Sequence, residues 1–145
     1  MPKFLDSLPM LLSRTLYGIM PRYRSLFQAH DLTDQQWRVL RALWEQKHLT
    51  SAEISQITLL PAPSLVGILD RLEKKGLISR LRSIEDRRFV HIIPTQAGRD
   101  LQGRMLPKVE QVHDGYIQRI TPEEWDELNR ILNKMAEPAE QSSFV

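Results

Sequence analysis

The sequence predicts a mainly α chain with one small β-hairpin, an α+β fold, and two observations carry the prediction. Over most of the 145 residues, apolar side chains return every three or four positions, the period of a helix face. Only between Leu77 and Ile93 does the period fall to two, with β-branched and aromatic residues in the alternation.

A first helix is expected from about Asp6 to His30, because Leu5, Leu8, Leu12, Leu16, Ile19, Tyr23 and Phe27 form one stripe. Pro21 removes a backbone hydrogen bond from it and should bend it near Met20. Thr33-Asp-Gln-Gln36 has capping-box spacing, in which each side chain serves the other residue's backbone N–H. The helix it opens carries Trp37, Leu40, Leu43 and Trp44 and ends near Lys47. Thr50-Ser-Ala-Glu53 is a second box and opens a short helix with Ile54 and Ile57 inward. Pro61-Ala-Pro63-Ser64 starts the next helix, since proline is tolerated in a first turn. Leu65, Ile68, Leu69 and Leu72 are its buried face, Lys74 and Lys75 suit the negative end of its dipole, and Gly76 fits the left-handed position beyond.

Leu77-Ile-Ser-Arg-Leu-Arg-Ser83 and Phe89-Val-His-Ile-Ile93 then pair around the charged loop Ile84-Glu-Asp-Arg-Arg88. Pro94 ends the second strand, and Thr95 caps a long helix. Its stripe is Leu101, Met105, Val109, Val112, Tyr116 and Ile120, with a kink expected at Pro107. Thr121-Pro-Glu-Glu124 opens a last helix, with Trp125, Leu128, Ile131, Leu132 and Met135 inward until Pro138. A frayed tail follows.

Composition narrows the function. There is no cysteine, which excludes a disulfide scaffold, a thiolate zinc site and a catalytic thiol. Apolar residues make up 41% and charged residues 26%, a globular balance. No apolar run approaches the ~18 residues of a membrane span. Asp6 and Arg14 interrupt any secretory segment, so the expected location is the cytoplasm, without a membrane partner. The four histidines, His30, His48, His91 and His113, are dispersed, so no metal site is expected, and no cofactor is implied. Phosphate-binding glycine loops, nucleophile elbows and His-Glu-x-x-His are missing, which leaves an enzyme reading without a catalytic group.

The net charge of +2 hides an uneven layout. Between Arg71 and Arg88 there are seven basic residues against three acidic, whereas from Thr121 onward six acidic stand against two basic. A concentrated positive segment in a nearly neutral chain suggests a local polyanion footprint; a solvated charged face is the bland alternative. Two short helices, a longer one and a ribbon are the element order of a winged helix-turn-helix. In that arrangement one helix enters the major groove of double-stranded DNA, while the ribbon tip reaches phosphates or the minor groove. The flanking helices offer more apolar face than one small domain covers, which implies a twofold homodimer. The organisation expected is an N-terminal dimerisation helix over 1–32, the winged helix-turn-helix over 33–95, C-terminal dimerisation helices over 96–137 and the tail 138–145.

Ser64-Leu-Val-Gly-Ile-Leu-Asp-Arg-Leu-Glu-Lys-Lys-Gly-Leu-Ile-Ser-Arg80 resembles the recognition helix and strand of the MarR family of bacterial transcriptional regulators. Asp86-Arg-Arg88 and Thr95-Gln-Ala-Gly98 are similar to that family's Asp-x-Arg wing and the Thr-x-x-Gly entering its next helix. The register holds from about residue 10 to 136. Within the family, Gln36-Trp37-Arg38 and Pro63–Leu69 resemble the regulators of homoprotocatechuate (aromatic acid) degradation operons.

The resemblance implies that Arg88 enters the minor groove from the wing, with Asp86 holding the loop or the arginine in place and Arg87 beside it. Pro63 and Ser64 open the recognition helix, where Ser64 can reach a phosphate or base edge, and Arg71 can reach phosphate. Arg80, Arg82 and Ser51 complete the expected DNA-binding set, and Thr50, Gln56 and Thr58 could add phosphate contacts, with helix caps or solvated side chains as the bland alternative. Ala62, Val66 and Gly67 stand where many relatives carry polar or basic side chains, so thymine methyls and DNA shape are expected to carry more of the specificity. An aromatic carboxylate or phenol needs an arginine fork and apolar walls. Arg14, Tyr17, Tyr23, His30, Trp37 and Arg38 are the candidates for that effector site. The expected function is a homodimeric repressor of an aromatic-compound operon, released by such an acid. The alternative is a winged-helix module that binds protein without an operator.

Overall fold

The computed structural model describes residues 1, 3–46 and 48–137. Lys47, the expected end of the second helix, and the tail 138–145 lie outside the described residues. The chain forms two compact units, divided between Val109 and Glu110. The first contains a 3₁₀ turn (Phe4–Asp6), α1 (Leu8–Ala29), α2 (Asp34–Glu45), β1 (Leu49–Thr50), α3 (Ser51–Thr58), α4 (Ala62–Lys74), β2 (Ile78–Arg82), β3 (Val90–Pro94) and the start of α5 (Gln96–Ile117). The rest of α5 and α6 (Pro122–Ala136) make the second. Among the described residues, no single helix is long and apolar enough to cross a membrane.

Local signals set most boundaries. All three expected capping boxes close: Thr33 with Gln36, Thr50 with Glu53 and Thr121 with Glu124. Thr95 takes the Gly98 N–H on its hydroxyl at 3.1 Å and so caps α5. At the end of α4, Gly76 has φ +75°; its N–H reaches the Glu73 carbonyl and that of Leu77 the Leu72 carbonyl, which completes a Schellman turn. Only glycine adopts that backbone at no cost.

Several expectations need correction. α1 starts at Leu8 rather than Asp6, because Pro9 fits only the first turn, and the Ser7 hydroxyl donates to the Phe4 carbonyl. Ile57 points outward, 47% exposed; the 100° step pairs Ile54 with Thr58 on the inner face instead. The sheet has three strands in the order β1-β3-β2, since Leu49 pairs with Ile92 and Thr50 with His91. A two-residue strand is too short for alternation to show. Ile120 falls beyond the end of α5. On α6, Leu128, Ile131, Leu132 and Met135 are exposed rather than inward, an amphipathic face left open among the described residues. The same holds for Leu5, Leu8, Leu12 and Leu16 of the N-terminal stripe, of which only Phe27 is buried.

One apolar core holds the first unit. Leu40 and Leu43 of α2, Ile54 of α3, Leu65, Leu69 and Leu72 of α4, Ile78 and Ile92 of the sheet, and Met105 of α5 are all buried in it. Every expected inward residue of α4 is among the buried ones, so the opposite face of that helix is left entirely to solvent.

Candidate nucleic-acid interface

α4 presents Ala62, Pro63, Ser64, Val66, Gly67, Asp70, Arg71 and Lys74 on its open side. Its first turn has Pro61 as N-cap with no side-chain cap, so its free N–H groups meet solvent at the positive dipole end. Ser51 opens α3 and is also exposed, as is Gln56. Thr58 is not available to phosphate: it is buried, and its hydroxyl donates to the Ile54 carbonyl at 2.6 Å.

The loop between β2 and β3 is a built turn. The Phe89 N–H donates to the Asp86 carbonyl at 3.0 Å, which places Arg87 and Arg88 at its two central positions. Asp86 Oδ1 accepts the Arg88 backbone N–H at 3.0 Å, an Asx turn. Both Asp86 oxygens also receive the Arg88 guanidinium, the shorter contact being 2.7 Å from Nη2 to Oδ2. That guanidinium first, and then the backbone N–H, hold the Asp86 carboxyl below its usual range. The clasp is therefore complete at neutral pH and is lost only as pH falls through the lowered value. Arg82 donates to the Arg87 carbonyl at 2.8 Å and braces the same turn from β2.

The basic residues of this segment divide by partner. Arg71, Lys74 and Arg87 make no side-chain ion pair among the described residues. Arg80 instead reaches from β2 to two acids of α4, Asp70 at 2.8 Å and Glu73 at 2.9 Å. The bond to Asp70 is the largest cause of its raised pKa, with burial opposing. Sequence reading placed Arg80 with the DNA contacts; in the structure its guanidinium ties β2 to two acids of α4. Arg80→Gln is expected to lower stability by about 1 kcal/mol in a thermal or denaturant melt, with the salt dependence of DNA binding unchanged. A salt slope reduced by about 0.9 would instead make it a phosphate contact.

Between α1 and α2 lie two adjoining cavities. One, about 370 Å³, is lined by Ser13, Leu16, Tyr17, Met20, Arg24, Asp34 and Arg38. The other, about 430 Å³, shares Arg24, Asp34 and Arg38 and adds Gln28, Leu32, Thr33 and Gln35. Of the effector candidates, the structure thus brings Tyr17 and Arg38 together, and neither lining includes Arg14, Tyr23, His30 or Trp37. Trp37 stacks on Phe27 at 5.0 Å and meets Trp44 edge-on, which makes it part of the core packing, and Tyr23 lies 6.3 Å from Phe27. His30 bonds the Leu26 carbonyl. Sequence reading missed Arg24 and Asp34, an ion pair at 2.8 Å across ten residues of chain; an aspartate in a helix's first turn gives no sign of such a partner. His48 and His91 also meet, 5.8 Å between ring centres, although no group of three metal-ligating side chains converges among the described residues.

A recognition helix with an open outer face, a preceding helix-turn and a clasped basic ribbon define a winged helix-turn-helix protein. The MarR family model matches residues 30–88. The homoprotocatechuate degradative operon repressor of Escherichia coli is 32% identical over 129 residues, 89% of this chain and 87% of the relative. The transcriptional regulator FarR of Neisseria gonorrhoeae is 32% identical over 119 residues, 82% of each. Among solved structures, NadR in complex with 4-hydroxyphenylacetate superposes with a TM-score of 0.82 at 29% identity, over 96% of this chain and 99% of that one. The chain belongs to the MarR family of transcriptional regulators, a family that is not enzymatic.

Proposed function

We propose that this regulator acts in the cytoplasm as a homodimeric repressor whose two copies place α4 in successive major grooves and their wings on the minor groove. The observation that carries the reading is the division of labour on α4 and its wing. Leu65, Ile68, Leu69 and Leu72 fill the core, while Pro63, Ser64, Arg71, Arg87 and Arg88 stand exposed on one helix and one turn. The uncovered apolar faces of α1 and α6 supply the surface for the second copy. The cavities beside Arg38 and Tyr17 have the size and the mixture of cationic and apolar walls that a one-ring aromatic carboxylate needs. Binding there weakens operator affinity if the acid prefers a geometry that mismatches the DNA. NadR, bound to 4-hydroxyphenylacetate, and the homoprotocatechuate operon repressor give this reading its chemistry.

The test is a duplex selected by the protein from a random pool, with 4-hydroxyphenylacetate as the probe acid. A dimer in sedimentation, salt-sensitive duplex binding and release by the acid are expected. At a hundredfold excess over its Kd, the acid should stabilise the free protein by about 2.7 kcal/mol. The wing also exposes Ile84 and Phe89, apolar side chains suited to a protein partner. Failure to bind any duplex at low salt would favour that interaction module over an operator-binding repressor.

A further inference from the structure

The cavities open on a guanidinium that is already engaged with the DNA-binding helices. Arg38 lines both, and its Nη1 donates to the Thr58 carbonyl at 3.0 Å. Thr58 is the last residue of α3, where helix carbonyls lack partners and the dipole is negative, so the arginine acts as a charged C-terminal cap. The turn that follows is arranged around this point. Leu60 N–H reaches the Thr58 hydroxyl at 3.4 Å, and Ser55 Oγ donates to the Leu60 carbonyl at 2.6 Å. Leu59 between them is left-handed, φ +60°, and 83% exposed, a conformation that a leucine keeps only when its surroundings impose it. α4 begins at Ala62. Its far end is also tied back: Lys75 donates to the Asp31 carbonyl and, at 3.1 Å, to Gln36 Oε1.

We propose that Arg38 is a positioning residue for the recognition helix, and that a carboxylate in the cavity acts by drawing it away from Thr58. The second half rests on the aromatic-acid reading of the cavity given above. Arg24 already holds the Asp34 carboxylate, whereas Arg38 makes no ion pair among the described residues and donates to a neutral carbonyl. A ligand carboxylate competes for Arg38, because it carries the opposite charge and can be gripped bidentately, whereas the Thr58 carbonyl is neutral and takes a single N–H. The Thr58 carbonyl is left to water, the constraint on Leu59 goes, and the start of α4 loosens while its C-terminal tie to α2 remains. The recognition helix would then pivot about Lys75.

Amide hydrogen exchange on the full chain, without DNA, tests this. In Arg38→Met, exchange at Leu60 and Leu65 should speed about tenfold, with the other core amides unchanged. Arg38→Lys should restore part of the protection. Arg41→Met, which removes an arginine of the same helix paired with Glu45, should change neither amide. In the wild type, 4-hydroxyphenylacetate should speed the same two amides, and in Arg38→Met it should add nothing. Unchanged exchange in Arg38→Met, or acceleration spread over the whole core, overturns the positioning role. If the acid binds by calorimetry yet leaves Leu60 and Leu65 unaltered, transmission through Arg38 is wrong and the cavity reading stands. If the acid does not bind while Arg38→Met still loosens the two amides, the positioning role stands, and the cavity reading and the transmission built on it both fall.

Discussion

Gly98→Ala is expected to destabilise the protein by about 3 kcal/mol, lowering the melting temperature by roughly 10 °C. A Cβ at position 98 would lie under 3.0 Å from the Leu77 carbonyl oxygen, with the Leu77 carbonyl carbon and Pro94 Cβ close behind. That oxygen is backbone and already accepts the Thr95 N–H at 3.0 Å. Thr95 in turn donates its hydroxyl proton to the Gly76 carbonyl at 2.5 Å and accepts the Gly98 N–H. The start of α5 is thus pinned to the turn that ends the recognition helix, and the pin requires two backbones to meet without a side chain between them. Moving either backbone breaks the Thr95 bonds as well, which is why no small relaxation absorbs the methyl group. Gly103 is the control: it lies in the same helix with nothing within 4 Å of its would-be Cβ. Gly103→Ala should stabilise by about 0.5–1 kcal/mol. Paired denaturant melts that gave both variants the same sign would show that close approach is not what position 98 requires.

The contrast between these glycines shows what could be read from the chain alone. Periodicity and capping are local, so the helices, the buried face of α4 and the Gly76 turn were legible from spacing. Thr95-Gln-Ala-Gly98 was legible as a motif, although its reason, a backbone oxygen contributed from twenty-one positions earlier, was not. The same limit hid β1, whose pairing with β3 spans about forty residues and involves only two in the strand. It also hid the Arg24–Asp34 pair, the Arg38–Thr58 bond and the bridges of Arg80, each joining two different elements across seven to twenty residues of chain. The apolar stripe of α6 marked a face to be covered but said nothing of where the cover comes from. Aromatic residues on α1 and α2 were ambiguous for a related reason: a ring suits a ligand wall and a core equally, and only packing distinguishes Trp37 from Tyr17.

Removing the Arg88 side chain should raise the Kd for the selected duplex by ten- to a hundredfold, the ~1–3 kcal/mol of a specific arginine contact. The log–log salt slope should fall by about 0.9 for the phosphate charge no longer neutralised. Arg88 is 86% exposed, yet both carboxylate oxygens of Asp86 receive its guanidinium, so the extended side chain is pre-organised at the tip of the loop. Ordering a free arginine on binding would cost about 1–2 kcal/mol of rotamer entropy, and the Asp86 clasp removes part of that loss beforehand. As an exposed ion pair the clasp contributes little to folding, so Arg88→Ala should leave the melting temperature within about 1 °C. Asp86→Asn separates charge from placement. It keeps the arginine and an acceptor for the Arg88 N–H but releases the guanidinium, so affinity should fall severalfold while the salt slope stays near the wild-type value. Arg87→Ala should lower the slope with a smaller loss of affinity, because its side chain makes no ion pair among the described residues that would aim it. Titrations of the four proteins at three salt concentrations decide the matter. Wild-type affinity and slope in Arg88→Ala would remove the wing from the interface and leave α4 to account for DNA binding alone.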